Sequence, residues 1–193
     1  MNRIITISRE FGSGGRTIGR ELAQKLNIPC YDHELIDKIA EESGFSKEFI
    51  KESGEYAASS AWFSNALAAR DYHGHTTQDQ VFFAQSKIIR ELAEKESCVI
   101  VGRCADYILR DKADLLKVFI YSDMQSRAER IVKMYGESAD SPEKRLKDKD
   151  KRRAAYYQIY TDMKWGAHAH YDICLNSGVI GIEKCVEILA QLY

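Results

Sequence analysis

A glycine-rich stretch near the start of the chain has the composition of an anion-binding loop. Gly12-Ser13-Gly14-Gly15 holds three glycines in four residues, between an apolar run at residues 3–8 and an amphipathic stretch at 16–26. Glycine lets successive backbone N–H groups turn toward one point, and a following helix adds its own unbonded N–H groups and the positive end of its dipole. The pattern predicts a backbone nest for a di- or triphosphate.

The two residues after the glycines extend this prediction. Arg16 and Thr17 follow Gly15 directly, which matches the end of the pattern G-x-x-x-x-G-K-[ST]. Arg16 would then bind the phosphates in place of lysine, and the Thr17 hydroxyl would be a ligand for Mg²⁺. In this register Glu10 stands where the pattern has its first glycine. The alternative is a glycine-rich turn that only closes the helix against the sheet.

Arg103 is a second candidate for phosphate binding. It follows Gly102 at the end of an apolar run, residues 98–101, that is typical of a buried strand. Arginine at such a strand end can bind phosphate oxygens through two N–H groups, which is the interpretation we favour. A structural ion pair is the alternative.

Residues 143–153 form a strongly basic segment. The segment holds seven cations against three anions, while the whole chain has a net charge of −1. Such a local excess of positive charge indicates either an anionic partner or a solvated helix face. We leave both interpretations open at this point.

Other side chains that could do chemistry carry weaker patterns. The histidine pairs at 73 and 75 and at 168 and 170 have metal-ligand spacing, but the sequence offers no third ligand near either pair. Tyr156, Tyr157, Tyr160 and Trp165 could stack on bases, although their spacing is more typical of a core or an interface.

The elements that must position these residues alternate along the chain. Apolar runs near residues 3–8, 29–31, 98–101, 116–121 and 172–175 predict five strands, with amphipathic helices between them. Asp123 and Ser141 are predicted helix caps, with Pro142 at the first helical position. This alternation predicts an α/β fold with a parallel sheet and right-handed crossovers. The glycine stretch, Gly102-Arg103 and Asp32-His33 would then meet at the carboxyl edge of the sheet, where such folds bind ligands.

Length and composition set the class of protein. The chain has 193 residues, 28 Lys and Arg against 29 Asp and Glu, and is 45% hydrophobic and 30% charged. These values predict one globular domain, and the near-neutral charge argues against an RNA-binding module. No apolar run is long enough to cross a bilayer, so we expect a cytoplasmic protein without a membrane partner. Five cysteines without C-x-x-C spacing are expected to be buried thiols.

Four segments together resemble the cytidylate-kinase-like proteins, relatives of bacterial cytidylate kinase within the nucleoside monophosphate kinases. They are Ile7-Ser8-Arg9-Glu10-Phe11-Gly12-Ser13-Gly14-Gly15-Arg16, Tyr31-Asp32-His33-Glu34-Leu35-Ile36, Val101-Gly102-Arg103-Cys104-Ala105-Asp106, and Tyr171-Asp172-Ile173-Cys174-Leu175-Asn176-Ser177. The resemblance covers nearly the whole chain. It implies a P-loop kinase fold of three α/β/α layers with a five-stranded parallel sheet. It also implies an inserted helical lobe that binds a nucleoside monophosphate, at about residues 43–77, and a lid at about 140–153 that closes over ATP.

The resemblance also implies roles for individual residues. The donor phosphates would lie on Gly12 to Thr17, next to a helix that carries Arg127 and Arg130. Asp32, Arg90 and Arg103 would lie on the side of the phosphate acceptor, and Arg152 and Arg153 would lie in the lid. Val101 stands where the family has the aspartate of an Asp-Gly-Arg motif.

The predicted function is ATP-dependent phosphoryl transfer to a small molecule, with Mg²⁺ as cofactor and a nucleoside monophosphate such as CMP as acceptor. Phosphoryl transfer needs two bound phosphates in line and positive charge at the transferred group, which Arg16, Arg103, Arg152 and Arg153 would supply. With an alcohol as acceptor, Asp32 would orient the hydroxyl group. The alternative from another class is a nucleotide-binding regulator without turnover, which Glu10, Arg16 and Val101 favour.

Overall fold

The computed structural model describes residues 3–32, 44, 76–136, 138 and 140–193. The strands in chain order are β1 (Ile4–Arg9), β2 (Cys30–Tyr31), β3 (Cys98–Val101), β4 (Leu115–Tyr121) and β5 (Ile173–Asn176). The helices are α1 (Gly15–Leu26), α2 (Thr77–Lys95), α3 (Ala105–Ile108), α4 (Met124–Tyr135), α5 (Pro142–Thr161), α6 (Ser177–Ile180) and α7 (Ile182–Gln191), with a 3₁₀ turn at His168–His170.

The five strands form one parallel sheet in the order β2-β3-β1-β4-β5. The central strand β1 pairs with β3 from Ile4 opposite Cys98 and with β4 up to Arg9 opposite Ile120. The connection from β3 to β4 therefore crosses over β1. The strands β2 and β3 lie on one side of β1, and the later strands β4 and β5 lie on the other. This reversal marks the carboxyl end of β1 as the place where a ligand binds in open parallel sheets.

The strand residues alternate between two helical layers, as the pleat requires. Ile5 and Ile7 pack with α1 and α7 on one face of the sheet. Ile4 packs with α2, α3 and α5 on the other face. The protein is therefore a three-layer α/β/α structure, and the prediction of its fold class from sequence is confirmed.

Helix caps fix where the elements around the sheet edge begin. The Asp123 side chain accepts a hydrogen bond from the Ser126 N–H at the start of α4. The Ser141 hydroxyl accepts one from the Lys144 N–H at the start of α5, where Pro142 is the first helical residue. Both caps are as the sequence predicts, because short polar side chains satisfy the free N–H groups of a first turn.

Some elements differ from the sequence prediction. The bounds of every strand except β3 differ from the prediction by one residue, and the four-residue helices α3 and α6 were not predicted because they are too short to show a period. His33, the histidine pair at 73 and 75, and the predicted lobe at 43–77 lie outside the described residues, apart from Gly44, Thr76 and the start of α2. All five cysteines are free thiols, and Cys98, Cys104 and Cys185 are buried. In the described part of the chain, no helix is both long and apolar enough to cross a bilayer.

Candidate functional site: the carboxyl edge of the sheet

The glycine loop, which we define as residues 10–14, reverses the chain between β1 and α1. Gly12 and Gly14 have φ angles of 79° and 80°, in the left-handed region that favours glycine. Between them, the fully buried Ser13 donates from its hydroxyl and its N–H to the Glu10 carbonyl, at 2.9 and 3.3 Å. The loop thus closes on itself as a compact turn, and α1 begins directly after it.

The N–H groups at the start of α1 are open toward the loop. Helix α1 makes its first backbone hydrogen bond from Ile18 to the Gly14 carbonyl. Within the described residues, the N–H groups of positions 14–17 donate no hydrogen bond. Free donors at a helix N-terminus attract an anion, since they combine with the positive end of the helix dipole.

Side chains from three other segments hold the carbonyl groups of the loop. Arg130 donates to the Gly12 carbonyl at 2.7 Å, and Ser177 donates to the Ser13 carbonyl. Arg153 donates to the carbonyl of Arg9 at 2.9 Å. Because the carbonyls accept these bonds, the surrounding segments fix the conformation of the loop.

A buried ion pair fixes the outer side of the loop. Arg127 of α4 is 5% exposed, and it bonds the carboxylate of Asp150 in α5. The other oxygen of Asp150 accepts the Phe11 N–H at 2.7 Å. Glu10 lies 3.5 Å from Arg127 and accepts the Ser122 N–H at 3.1 Å. Burial raises the pKa of Glu10 above its ordinary value, although Ser122 and Arg127 act in the opposite direction.

A small cavity opens beside the loop. Its volume is about 70 Å³, and four arginines contribute to its walls: Arg9, Arg16, Arg130 and Arg153. A wider cleft of about 480 Å³ shares Thr17 and Arg130 with the cavity and continues along α4 to Gly178 and Ile182. Small-molecule sites usually measure roughly 300–1,000 Å³, so the cavity fits a phosphate group and the cleft fits the larger part of a ligand.

The structure brings Arg16 and Asp32 together at this edge. The Arg16 Nε bonds the Asp32 carboxylate, and Arg20 lies 3.7 Å from the same oxygen. Sequence analysis predicted both residues for the site but not this pairing. Arg16 lines the cavity while its charge is partly balanced by Asp32.

A second left-handed turn follows β3, and we call residues 102–104 the arginine turn. Gly102, Arg103 and Cys104 have φ angles of 79°, 59° and 53°. Arginine and cysteine at positive φ are under strain, at a cost of about 1–2 kcal/mol per residue. The Gly102 N–H donates to the Ile7 carbonyl at 3.0 Å, and the fully buried Gln85 donates to the Arg103 carbonyl at 2.9 Å. Strain that the surroundings hold in place is frequent at functional sites, and here it positions the 4% exposed Arg103.

A buried polar cluster lies next to the arginine turn, on the face of the sheet that Cys104 shares with Ile4. Asp106 of α3 is 4% exposed and accepts a hydrogen bond from the Tyr157 hydroxyl at 2.7 Å. Ser8 of β1 lies 3.5 Å from the other carboxylate oxygen. Burial raises the pKa of Asp106, against the lowering effect of the Tyr157 hydrogen bond. Burial and the nearby Asp106 raise the pKa of Tyr157 in turn.

The remaining predicted residues lie in different surroundings. Arg90 is exposed on α2, and no contact between described residues joins it to the glycine loop. Arg152 is half-buried on α5. Tyr156 and Tyr157 belong to the core, and Tyr160 stacks on Phe82 with ring centroids 4.1 Å apart. The described residues contain no group of three side chains that could hold a metal ion, His168 and His170 included.

Comparison with known proteins first defines the class of the fold. A shikimate kinase from Bacteroides thetaiotaomicron, 20% identical, has a TM-score of 0.55 over 98% of this chain and 97% of that chain. A gluconokinase from Sinorhizobium meliloti, 16% identical, has a TM-score of 0.56 over 98% and 93%. These structures share the fold of P-loop kinases with this protein. An uncharacterised protein from Eubacterium ventriosum is more similar, with 30% identity and a TM-score of 0.75 over 99% of this chain and 98% of that chain.

The family follows from the sequence comparisons. The model of the cytidylate kinase-like family matches residues 4–179, so the chain belongs to this family. A cytidylate kinase from Archaeoglobus fulgidus is 30% identical over 193 aligned residues, which cover 97% of this chain and 92% of that protein. A cytidylate kinase from Methanobrevibacter smithii is 26% identical over 96% and 95%. The resemblance described from the sequence motifs is confirmed.

Sequence analysis missed three residues that shape the loop. Asp150 is one of many charges in its segment, and its partners Phe11 and Arg127 are distant in the chain. Ser177 and Arg9 were seen only as parts of the family motifs, with no role predicted for either. Only the topology of the sheet, which brings these segments to one edge, could have indicated their contacts.

Proposed function

We propose that the protein is an ATP-dependent kinase that phosphorylates a nucleoside monophosphate such as CMP. One observation carries this proposal: open N–H groups at the start of α1 face a cavity walled by four arginines. Family membership and the P-loop kinase fold support phosphoryl transfer from ATP as the class of reaction.

In this proposal the donor nucleotide occupies the cavity and the adjoining cleft. The N–H groups at positions 14–17, with Arg16 and Arg130, would bind its phosphates. Its nucleoside would lie in the cleft between α4 and Gly178. Arg127, which holds the outer side of the loop, would stabilise the donor site without lining the cavity.

The residues present fit a Mg²⁺ ion that arrives with ATP. Mg²⁺ in such sites takes most of its ligands from phosphate oxygens and water and only one or two from the protein. Thr17 lines both the cavity and the cleft and would supply its hydroxyl. The ion would neutralise charge on the transferred group, while the protein groups bind and orient the two substrates.

The acceptor would lie on the other side of β1, toward β3 and β2. Arg103 would bind its phosphate, with Asp32 and Arg90 on the same side. A nucleoside monophosphate attacks through a phosphate oxygen, so the reaction needs no general base. The low exposure of Arg103 favours this role, because a desolvated arginine binds phosphate more strongly than an exposed one.

The test is ADP release from ATP and Mg²⁺ with a panel of acceptors. The panel should contain CMP, UMP, AMP and GMP, together with shikimate, gluconate and smaller alcohols. We expect turnover with a pyrimidine nucleoside monophosphate. Turnover with an alcohol alone would contradict the acceptor that we propose and would point to Asp32 as the residue that orients a hydroxyl group.

A nucleotide-binding regulator on the same fold is the second candidate. It is favoured by the buried, apolar Val101 at the end of β3, where a carboxylate could have helped to hold Mg²⁺, and by the pairing of Arg16 with Asp32. ATP binding without ADP release from any acceptor would support the regulator and overturn the kinase.

The lid at residues 140–153 and the lobe at 43–77 belong to the same proposal. The first turns of α5 carry seven cations at residues 143–153, and Arg152 and Arg153 would approach the transferred phosphate. Asp150, Arg153 and the fully buried Leu146 contact neighbouring elements, so closure would have to involve the more exposed basic side chains. Hydrogen exchange with and without a bisubstrate analogue tests this, and equal protection of residues 147–153 in both states would contradict a lid.

A further inference from the structure

The side chain of Arg9 lies where a side chain at position 15 would otherwise lie. Arg9 is the last residue of β1, and the pleat places it on the same face as Ile5 and Ile7, against α1. A Cβ atom built on Gly15 would fall 2.5 Å from the Arg9 Cβ and 3.0 Å from its Cγ. The two positions therefore compete for one volume, and only one of them can carry a long side chain.

The two competing positions have the spacing of the first glycine and the lysine in the pattern G-x-x-x-x-G-K-[ST]. In that pattern the first glycine and the lysine are six residues apart, as Arg9 and Gly15 are, and the second glycine then falls on Gly14. The chain carries arginine where this register has glycine, and glycine where it has lysine; Arg16 falls on the Ser/Thr position, and Thr17 follows one residue later. The lysine of the pattern reaches the β- and γ-phosphates, and a residue without a side chain at the first position leaves room for it.

The other register of the pattern pairs Glu10 with Arg16, and these side chains diverge. Glu10 is directed to the Ser122 N–H and Arg127. Arg16 is directed to Asp32. Because the Glu10 and Arg16 side chains bind different partners, they do not compete for one volume as positions 9 and 15 do.

We propose that Arg9 and Gly15 have exchanged roles, so that Arg9 supplies the cation that the loop pattern takes from lysine. The inference rests on the proposed binding of ATP at this loop. The half-buried Arg9 lines the cavity together with Gly14, Gly15 and Thr17, and its Cβ and Cγ atoms lie against Gly15. Its backbone is fixed by the β1–β4 pairing and by the hydrogen bond from Arg153 to its carbonyl. Arginine can contact two phosphate oxygens at once, which a lysine cannot do in the same planar way.

The experiment measures dissociation constants for ATP, ADP and adenosine by calorimetry on the full chain. Arg9→Met keeps most of the stem over Gly15 and removes the charge. We expect it to weaken binding of ATP and ADP by about 10- to 100-fold, the scale of a lost hydrogen-bonded charge contact, and to leave adenosine binding unchanged. The matched control is Arg110→Met, at an exposed arginine that donates to the carbonyl of Tyr107 outside the site, for which we expect no change.

The proposed exchange of roles is tested by moving the cation from position 9 to position 15. Gly15→Lys alone should bind ATP poorly, because its Cβ would collide with Arg9. Arg9→Gly alone should bind ATP as poorly as Arg9→Met. The double variant Arg9→Gly with Gly15→Lys should recover ATP affinity to within about tenfold of the original protein, since it returns glycine to the first and lysine to the seventh position of the pattern. Thermal unfolding of each variant separates loss of binding from loss of folding.

Each outcome bears on one proposal. If Arg9→Met binds ATP as well as the original protein, Arg9 contributes only its stem and the inference is wrong. If the double variant folds and binds no better than Arg9→Gly, the exchange of roles is wrong. If the original protein binds neither ATP nor ADP, the proposed function fails first, and this result is distinct from the other two.

Discussion

The glycine loop and the arginine turn both reverse the chain through left-handed residues at the ends of neighbouring strands, but they do so with different residue types. In the glycine loop, Gly12 and Gly14 occupy the left-handed positions without strain. In the arginine turn, Arg103 and Cys104 occupy two of them. The first turn can offer its backbone to a ligand, because no side chain intervenes. The second turn fixes one side chain, and hydrogen bonds from Gln85 and to Ile7 hold it against its strain.

This difference suits the two turns to different substrates of the proposed reaction. Backbone N–H groups bind any phosphate that fits, so the glycine loop suits the common donor. A buried, oriented guanidinium selects by position and geometry, so the arginine turn suits the acceptor. The predictions below test this division, beginning with the largest expected effect.

Replacement of Arg103 should separate acceptor binding from donor binding. We expect Arg103→Ala to lower kcat/KM for the acceptor by about 100-fold or more, roughly 3 kcal/mol, because a desolvated charge contact is lost. ATP affinity should remain nearly unchanged. Steady-state kinetics with varied acceptor, and calorimetry with ATP, are the measurements. Arg103→Lys keeps the charge and should lose less, while an equal loss of ATP affinity would place Arg103 on the donor side.

A Cβ atom in the glycine loop should destabilise the whole fold. At Gly12 the added atom would meet the Arg127 carbonyl, Ile131 and Leu146, each at 3.0 Å, in addition to the strain of a positive φ. We expect Gly12→Ala to lower the free energy of unfolding by about 2 kcal/mol, measured by denaturant titration. A loss well below about 1 kcal/mol would show that the contacts around Gly12 relax freely and that the added Cβ brings little backbone strain.

Sequence analysis predicted the glycine loop and missed the strain in the arginine turn for a physical reason. Glycines at Gly12 and Gly14 are themselves evidence of an unusual backbone, whereas nothing in the residue types of Arg103 or Cys104 indicates positive φ. The long helices were predicted because their periods extend over enough residues, and the strands because short apolar runs mark them between the helices. The contacts of Asp150 and the pairing of Arg16 with Asp32 depend on tertiary structure, so the sequence could supply the residues but not their partners.

The strain in the arginine turn can be measured at Cys104, which points into the core. Cys104→Ala and Cys104→Gly both remove the buried thiol, but only glycine relieves the φ of 53°. We expect the glycine variant to be the more stable of the two by about 1 kcal/mol, the reverse of the usual order in regular structure. Denaturant titration of the two variants gives the difference directly. A more stable alanine variant would mean that the turn is not strained at this residue.

The last prediction is a dependence of stability on pH at Asp106, next to the arginine turn. Burial raises the pKa of this carboxyl in the folded protein, so the folded state binds its proton more tightly than the unfolded chain does. Stability from this group is therefore fully present below the unfolded pKa of about 3.9 and is lost as pH rises from there through the folded pKa, with a slope of at most about 1.4 kcal/mol per pH unit. Asp106→Asn cannot ionise, and its amide can still accept from Tyr157. We expect the variant to gain stability relative to the original protein as pH rises from 4 to 7, measured by denaturant titration at each pH. A constant difference over this range would show that Asp106 ionises as readily in the folded protein as in the unfolded chain, and that the arginine turn rests on a charged carboxylate.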